Sequence, residues 1–190
     1  MYEQYWGLRE KPFRKTPDPR YLFLNDTYEE ALERLRFAVE EMELALLTGE
    51  VGSGKTLLTR ALVDKLDDRN LIAIVLVGQP ELRERLRHRT YRALTQRIGV
   101  AFDLVPLQPE DTRAYFAHRL QVAGAGRPLF SPDAIERLHE AAAGIPRVLN
   151  QLATQALLEG MARGAKQVDA AIVASVASER DLSAPVGARG

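Results

Sequence analysis

The fold is decided by one stretch of the 190-residue chain, Leu44-Ala-Leu-Leu-Thr48 followed by Gly49-Glu50-Val51-Gly52-Ser53-Gly54-Lys55-Thr56. Its first part is a short apolar run, which predicts a buried parallel strand. The apolar spacing from Lys55 to Leu66 predicts a helix. The turn between them matches the pattern G-x-x-x-x-G-K-[ST] in the strand–turn–helix context that the pattern requires. The sequence therefore predicts an α/β core with a phosphate-binding loop.

The residue types in this loop fit a nucleoside triphosphate and Mg²⁺. Glycines let backbone N–H groups turn toward a phosphate, and the positive helix N-terminus adds to this attraction. Lys55 is expected to reach the β- and γ-phosphates, and Thr56 to give its hydroxyl to Mg²⁺. A flexible glycine turn without a ligand is the alternative. The expected cofactor-binding residues are Gly49, Glu50, Val51, Gly52, Ser53, Gly54, Lys55, Thr56 and Leu57, with Thr56 as metal ligand and ATP and Mg²⁺ as cofactors.

The rest of the chain divides into a mixed first half and a helical second half. Before Pro106 the patterns predict an ordered loop at 5–24, a helix from Tyr28 to Met42 with Thr27 and Glu30 as a capping box, a strand at 71–77, a charged helix at 80–98 and a weaker strand at 100–105. After Pro106 they predict four helices, which start at Pro109, Pro132 and Pro146 and, for the short fourth helix, after Asp169. The tail contains Pro185 and is expected to be frayed.

Composition excludes several classes of protein. The chain has 26 basic and 26 acidic residues, so no overall charge draws it to nucleic acid or to an anionic membrane. It has no cysteine, which excludes disulfides and thiolate zinc sites. The longest clean apolar run, Leu71–Val77, is too short to cross a bilayer. A cytoplasmic location is expected.

Several segments of the chain, the loop among them, resemble the AAA+ ATPases of the general secretion pathway A (ExeA) type. They are Tyr5-Trp6-Gly7-Leu8-Arg9-Glu10-Lys11-Pro12-Phe13, Thr16-Pro17-Asp18-Pro19, Leu47 to Thr56, Val75-Leu76-Val77-Gly78-Gln79-Pro80-Glu81-Leu82 and Gly144-Ile145-Pro146-Arg147. The resemblance covers nearly the whole chain. It implies ATP binding and hydrolysis at subunit interfaces, self-association in a ring or dimer, and work with protein partners in assembling a secretion or cell-envelope system.

The resemblance also implies a fold and a domain division. The expected fold is a three-layer P-loop NTPase (AAA+) core with a reduced parallel sheet, followed by an all-helical lid. In the family's strand numbering the sheet keeps three strands in the order 5-1-4. The expected domains are a core at 1–107 that is shortened after residue 70, a lid at 108–178 and a flexible tail at 179–190.

Three catalytic positions follow from the resemblance alone. Arg147 falls at the sensor-2 arginine of the lid, and Gln79 at a sensor-1 position. Arg97 falls at the arginine finger that is donated to a neighbouring subunit, and Arg92 is a rival for this role. A solvated surface position is the alternative for each arginine.

The resemblance breaks at the second motif of P-loop ATPases, the Walker B strand that ends in Asp-Glu. In the family this strand lies between the P-loop helix and the strand ending in Val-Gly-Gln-Pro, but here only residues 64–70 separate the two elements. Asp67 and Asp68 follow a helical run, and Glu81 follows a proline, so neither is a good substitute. A strand-helix-strand-helix block is missing, through a deletion or a faulty gene model, with the joint near Asn70 and Leu71.

This loss has two expected consequences. Hydrolysis is expected to be slow or absent, because loss of a positioned base costs about 10²–10⁴-fold in rate. The strand at 71–77 becomes an uncovered edge, which predicts poor solubility or a dimer joined along it. Three functions stay open: a shortened secretion-type ATPase, a non-hydrolysing nucleotide-binding partner module, and a nucleic-acid-binding AAA+ protein of the transposition type. Nucleic acid is the least expected partner, because Glu81 and Glu84 alternate with the first arginines of this helix and the net charge is zero.

Overall fold

The computed structural model describes residues 1–14, 18–66 and 73–183. The chain forms two compact units. The core unit is Pro17–Pro106, and the helical unit combines Met1–Thr16 with Leu107–Gly190. The predicted joint of the missing block, at Asn70 and Leu71, and the Asp67-Asp68 pair lie outside the described residues.

The described helices and strands follow the order expected of an α/β core and a helical appendage. In chain order they are α1 (Tyr2–Trp6), α2 (Asp26–Glu40), β1 (Leu44–Gly49), α3 (Lys55–Lys65), β2 (Val75–Val77), α4 (Pro80–Leu86), α5 (Arg92–Thr95), β3 (Ile98–Leu104), α6 (Pro109–Val122), α7 (Pro132–Ala142), α8 (Pro146–Ala162) and α9 (Ala170–Ser183). Two 3-10 turns, at Pro19–Tyr21 and Arg89–Tyr91, complete the set.

The three described strands form a parallel sheet in the order β2-β1-β3. In the family's numbering this is the order 4-1-5, so the predicted reduced sheet is confirmed. The central strand β1 is buried from Ala45 to Gly49 because it has a neighbour on each side and helices α2, α3 and α4 pack on it. The predicted strand at 71–77 is described from residue 73 onward, and its strand pairing covers Val75–Val77.

Helix α2 begins at Asp26, two residues before the predicted start at Tyr28. Asn25, not Thr27, caps it, because the Asn25 side chain accepts a hydrogen bond of 3.0 Å from the Tyr28 N–H. The apolar face that the sequence predicts is present: Ala31, Leu32 and Leu35 are fully buried. This face packs on β1, β3 and α3, so α2 covers the sheet beside the glycine-rich loop.

The predicted charged helix at 80–98 is wrong as a single helix. It is broken into α4, the 3-10 turn at Arg89–Tyr91 and α5. The break is held by Thr95, whose hydroxyl donates to the Leu86 carbonyl at 2.7 Å, next to the end of α4. The chain is thereby folded back after Leu86 instead of continuing straight. The predicted loop at 5–24 also contains regular structure, namely the end of α1 and the 3-10 turn at Pro19–Tyr21.

The first residues of the chain belong to the helical unit, which differs from the predicted core range of 1–107. Their aromatic side chains have apolar partners on α6 and α8. The Trp6 indole N–H donates to the Leu157 carbonyl at 2.9 Å, and Phe13 packs on Phe116. Arg119 is 5% exposed and donates from Nε to the Pro12 carbonyl at 2.7 Å. The segment is thus fixed by burial and hydrogen bonds that its sequence does not reveal.

The last helix is longer than the short helix expected after Asp169. Helix α9 spans Ala170–Ser183 and so enters the predicted flexible tail at 179–190. Asp169 caps it as expected, accepting from the Ile172 N–H at 2.9 Å. The helix continues because the residues up to 183 include no proline or glycine. The remainder of the predicted tail, 184–190, lies outside the described residues.

Among the described residues, every helix is too short or too polar to span a bilayer.

Candidate nucleotide-binding site

The loop between β1 and α3 has a backbone that only glycines adopt easily. Gly49, Gly52 and Gly54 have φ angles of 153°, 92° and 90°. A Cβ at Gly49 would lie 2.8 Å from both the Leu104 carbonyl oxygen and the Ser53 Oγ. A side chain there would therefore collide with the fixed backbone of β3. The loop has the shape of an anion cradle at the N-terminus of α3, which fits a phosphate group.

Lys55 lies within this loop. Its Nζ donates to the Gly49 carbonyl at 2.6 Å and to the Glu50 carbonyl at 2.8 Å, and it is 3.4 Å from the Ser53 Oγ. Lys55 is half-buried, and Ser53 is 1% exposed. The ammonium group is therefore held where the loop turns, in position to meet the charge of a phosphate.

Thr56 and Leu57 form the first turn of α3. Thr56 is exposed, and its hydroxyl has no hydrogen-bond partner in the described part of the chain. An exposed, unoccupied hydroxyl beside the cradle fits the predicted role of Thr56 as a Mg²⁺ ligand. Leu57 is half-buried, whereas Glu50 and Val51 extend into solvent on the outer side of the loop.

Tyr28 on α2 supports the loop from behind, a contact that the sequence analysis missed. Its hydroxyl donates a short hydrogen bond to the Ser53 carbonyl. A Cβ at Gly54 would lie 3.2 Å from the Tyr28 ring, so the ring also limits what can stand at Gly54. Tyr28 is 5% exposed. Its helical spacing looked like ordinary core packing, and only the tertiary fold reveals the bond to the loop.

Gln79 lies at the same edge of the sheet as the loop. Val77 pairs with Leu47, and the Gly78 N–H donates to the Leu47 carbonyl at 3.0 Å. Because the strands are parallel, the residues that follow β1 and β2 emerge together. Gln79 is exposed at the N-cap of α4 and makes no side-chain cap bond.

Arg97 lies at the opposite edge of the sheet. It directly precedes β3, whose Ile98 pairs with Leu44, whereas Leu104 pairs with Gly49 at the loop end. The six steps from Ile98 to Leu104 separate these edges by roughly 20 Å, at about 3.3 Å per residue. An arginine side chain does not span this distance. Arg97 is therefore not brought to the loop of its own chain, and both Arg97 and its rival Arg92 are exposed.

Arg147 belongs to the helical unit, where it is exposed in the first turn of α8. The turn before it is tightly built. Gly144 has a φ of +69°, and its carbonyl accepts from the Leu107 N–H at 3.0 Å. Glu81, the carboxylate that follows β2, is exposed in the first turn of α4.

Asp103 is a carboxylate near the carboxyl end of β3 that the sequence analysis did not consider. It pairs in register with Thr48, the residue before the loop. Its Oδ1 is buried and has no hydrogen-bond partner among the described residues. The sequence signal was present, because Asp103 stands near the end of an apolar strand.

The comparison with known sequences gives a family and a relative. The AAA domain family matches residues 39–168. General secretion pathway protein A of Aeromonas hydrophila is 29% identical over 253 aligned residues, which cover 88% of this chain and 46% of that protein. The chain therefore spans about half the length of this relative. Because 88% of 190 residues is about 167, about 86 of the 253 aligned positions have no counterpart here.

Solved structures share the fold at low sequence identity. The RuvB Holliday junction branch migration motor of Thermotoga maritima has a TM-score of 0.59 at 14% identity and covers 82% of this chain and 69% of its own. ORC2 of Aeropyrum pernix has a TM-score of 0.66 at 12% identity, and the match covers 93% of this chain and 74% of that one. Drosophila ORC bound to DNA has a TM-score of 0.63 at 11% identity, and the match covers 90% of this chain and 64% of that one. With the family match over more than half of the chain, these findings show that this chain belongs to the AAA domain family of nucleotide-binding ATPases.

Proposed function

We propose that the chain binds Mg²⁺-ATP through the loop residues 49–57. The observation that carries this proposal is the loop itself: three glycines with left-handed or extended positive φ angles and the Lys55 ammonium held between the loop carbonyls. Backbone N–H groups and Lys55 would bind the phosphates, and the Thr56 hydroxyl would hold Mg²⁺. The bound ion would neutralise phosphate charge.

We further propose that the bound ATP is turned over slowly or not at all. The order β2-β1-β3 contains no strand beyond β2 among the described residues, and the Walker B strand of the family belongs there. The alignment with the secretion protein supports the loss of a block, since about 86 aligned positions lack a counterpart. Without a positioned carboxylate, the rate is expected to fall by about 10²–10⁴-fold.

Calorimetric titration of ATP and ADP with and without Mg²⁺, followed by a phosphate-release assay on the same sample, tests both statements. We expect ATP to bind and phosphate to be released about 10²–10⁴-fold more slowly than at an ordinary ATPase rate of about 10 per second. Failure of ATP to bind would overturn the first statement. Phosphate release at ordinary ATPase rates would overturn the second, and a loss of that release in Asp103→Asn would identify Asp103 as the replacement carboxylate.

The wider role follows from the relative. Its name supports a role for this chain in the assembly of a secretion or cell-envelope system. We propose that the chain itself acts in the cytoplasm. In an assembly of several copies, Arg97 would serve as arginine finger for a neighbour's nucleotide, because it lies too far from its own loop. Arg147 and Gln79 are proposed as sensors of the γ-phosphate.

We propose that copies of the chain associate along the open edge of β2. The Ala45 N–H donates to the Ile74 carbonyl, and the Gly78 N–H donates to the Leu47 carbonyl. In a parallel ladder the alternate residues Val75 and Val77 then present their N–H and C=O groups to the other side. No described strand pairs there. Ile74 and Val77 are 59% and 44% exposed, so the edge is apolar as well as unpaired.

A charge at this edge should prevent the association. We expect Val77→Lys to raise the dimer dissociation constant by at least about 10-fold in sedimentation equilibrium, because a lysine on an edge strand resists pairing. Leu158→Lys is the matched control, since Leu158 is 41% exposed on α8. A wild-type protein that stays monomeric at high concentration would contradict this proposal.

A further inference from the structure

The segment of residues 83–97 carries an unusual density of positive charge. It contains six arginines, which are Arg83, Arg85, Arg87, Arg89, Arg92 and Arg97, and no lysine. Five of them are exposed, and Arg83 is half-buried. Because α4 packs against α5 and α5 follows the 3-10 turn directly, these arginines lie on consecutive short elements of one compact part of the core unit. We call these six side chains the arginine patch.

None of the six arginines has an ion-pair or side-chain hydrogen-bond partner within the described ranges. The same holds for Glu81, which lies two residues before Arg83, and for Glu84, which lies between Arg83 and Arg85. Several exposed arginines elsewhere in the described residues form ion pairs with a nearby glutamate. Examples are Arg36 with Glu33 at 2.8 Å, Arg137 with Glu140 at 3.3 Å and Arg163 with Glu159 at 2.6 Å.

This pattern removes the sequence argument against a polyanionic partner. The two glutamates offset only two of the six arginine charges, and the zero net charge is a sum over the whole molecule. At physiological salt the interaction between exposed charges is screened beyond about 8 Å. The local excess of positive charge, and not the net charge of the molecule, therefore determines whether a polyanion binds. Like charges held together without counterions repel each other, and a polyanion would relieve this repulsion.

Two further features point to nucleic acid as the polyanion. Arginine binds phosphate with two parallel hydrogen bonds, and all six cations are arginine. Tyr91 stands between Arg89 and Arg92 and is 42% exposed, so its ring is open to a flat partner. An exposed aromatic ring among cations is the arrangement on which unpaired bases stack.

We propose that the arginine patch binds single-stranded nucleic acid, with the arginines on the phosphates and Tyr91 stacking on a base. This binding uses no residue of the loop 49–57, and the one residue it shares with the proposed nucleotide chemistry is Arg97, the proposed finger for a neighbouring copy. It is expected in the absence of ATP.

The test is fluorescence anisotropy of a labelled thirty-nucleotide oligothymidine with the full chain, without nucleotide, from 50 to 200 mM salt. Each phosphate contact on a single strand contributes about 0.7 to the slope of log affinity against log salt, so five exposed arginines predict a slope near −3.5 at most. The affinity should fall by up to about 100-fold over this range. A duplex of equal length should bind more weakly, because its bases are not free to stack.

The variant Arg85→Ala/Arg87→Ala/Arg89→Ala leaves Arg92 and Arg97 in place, so it does not touch the proposed finger. We expect it to lower affinity at 50 mM salt by at least about 10-fold and to reduce the slope by about 2. The control Arg36→Ala/Arg137→Ala/Arg163→Ala removes the same charge from ion-paired positions and should leave binding within about twofold. Tyr91→Ala should weaken binding about 10-fold without changing the slope, because stacking of a base is worth about 1–3 kcal/mol.

Three results would overturn the proposal: no binding of either oligonucleotide at 50 mM salt, equal losses in the test and control triple variants, or a Tyr91→Ala variant that binds like the wild type. Binding of vesicles with 30% phosphatidylglycerol that the oligonucleotide does not compete away would assign the patch to an anionic membrane surface instead. As a control for folding, the circular dichroism spectra and thermal midpoints of all variants should match those of the wild type.

Discussion

Replacement of Lys55 by alanine is expected to weaken ATP binding by at least about 100-fold. The lysine Nζ is held by the Gly49 and Glu50 carbonyls at 2.6 and 2.8 Å, so it is already oriented at the cradle before a ligand arrives. Hydrogen bonds to charged groups contribute about 1.5–3 kcal/mol each, and two such bonds to phosphate oxygens give the expected loss. Calorimetric titration of both proteins with ATP measures the effect.

The matched control is Lys65→Ala, which removes a lysine from the other end of the same helix, where the side chain is exposed. It should bind ATP as the wild type does. The free energy of unfolding of Lys55→Ala should fall by about 1–3 kcal/mol, because the part-buried Gly49 carbonyl loses its donor, whereas water can replace the exposed bond to Glu50. An affinity within threefold of wild type would show that the loop does not use Lys55 for phosphate.

Gly144→Ala is expected to destabilise the helical unit by about 3 kcal/mol or more. Gly144 has a φ of +69°, and a Cβ there would lie 2.2 Å from the Leu107 carbonyl oxygen and 3.1 Å from the Leu107 nitrogen. These are backbone atoms, which cannot rotate away. The Leu107 N–H also donates to the Gly144 carbonyl at 3.0 Å, so relief of the collision would break this bond.

Gly164→Ala separates the two causes of this loss. Gly164 has a φ of +65°, but a Cβ there would meet nothing within 4 Å. The Gly164→Ala substitution should therefore lower the free energy of unfolding by only about 1–2 kcal/mol, which is the cost of a left-handed backbone for alanine. Trp6 is the single tryptophan and is 3% exposed in the helical unit, so its fluorescence in urea reports the unfolding of this unit. Equal losses of unfolding free energy in the two variants would mean that the collision with Leu107 does not add to the cost at Gly144.

Local sequence patterns predicted much of the core correctly, because each rests on short-range chemistry. The apolar run before Gly49 predicted a buried strand, which β1 confirms, and the glycines and Lys55 predicted a phosphate-type loop. The strand order followed from the family resemblance and from the missing block, and the observed order β2-β1-β3 confirms it. Helices α6, α7 and α8 begin at the predicted prolines, and Asp169 caps α9 as expected.

Patterns failed where long-range contacts decide. The arginine-rich stretch after Pro80 has helical composition, yet the Thr95 hydroxyl bonds to the Leu86 carbonyl and the helix breaks. The opening segment has no clear period, because its order comes from Trp6 and Phe13, which pack on helices more than a hundred residues away in sequence. Tyr28 looked like a core residue until its bond to Ser53 was known.

The sequence by itself determined the chemistry of the loop 49–56 and the presence of a parallel core followed by helices, because glycine, lysine and threonine act there through their own local geometry. The tertiary structure decided which side chains have partners. It joined residues 1–14 to the helical unit through Arg119 and Trp6. It also left the six arginines of residues 83–97 without the carboxylates that stand beside them in sequence. Charge pairing depends on distance in space, which spacing along the sequence does not fix.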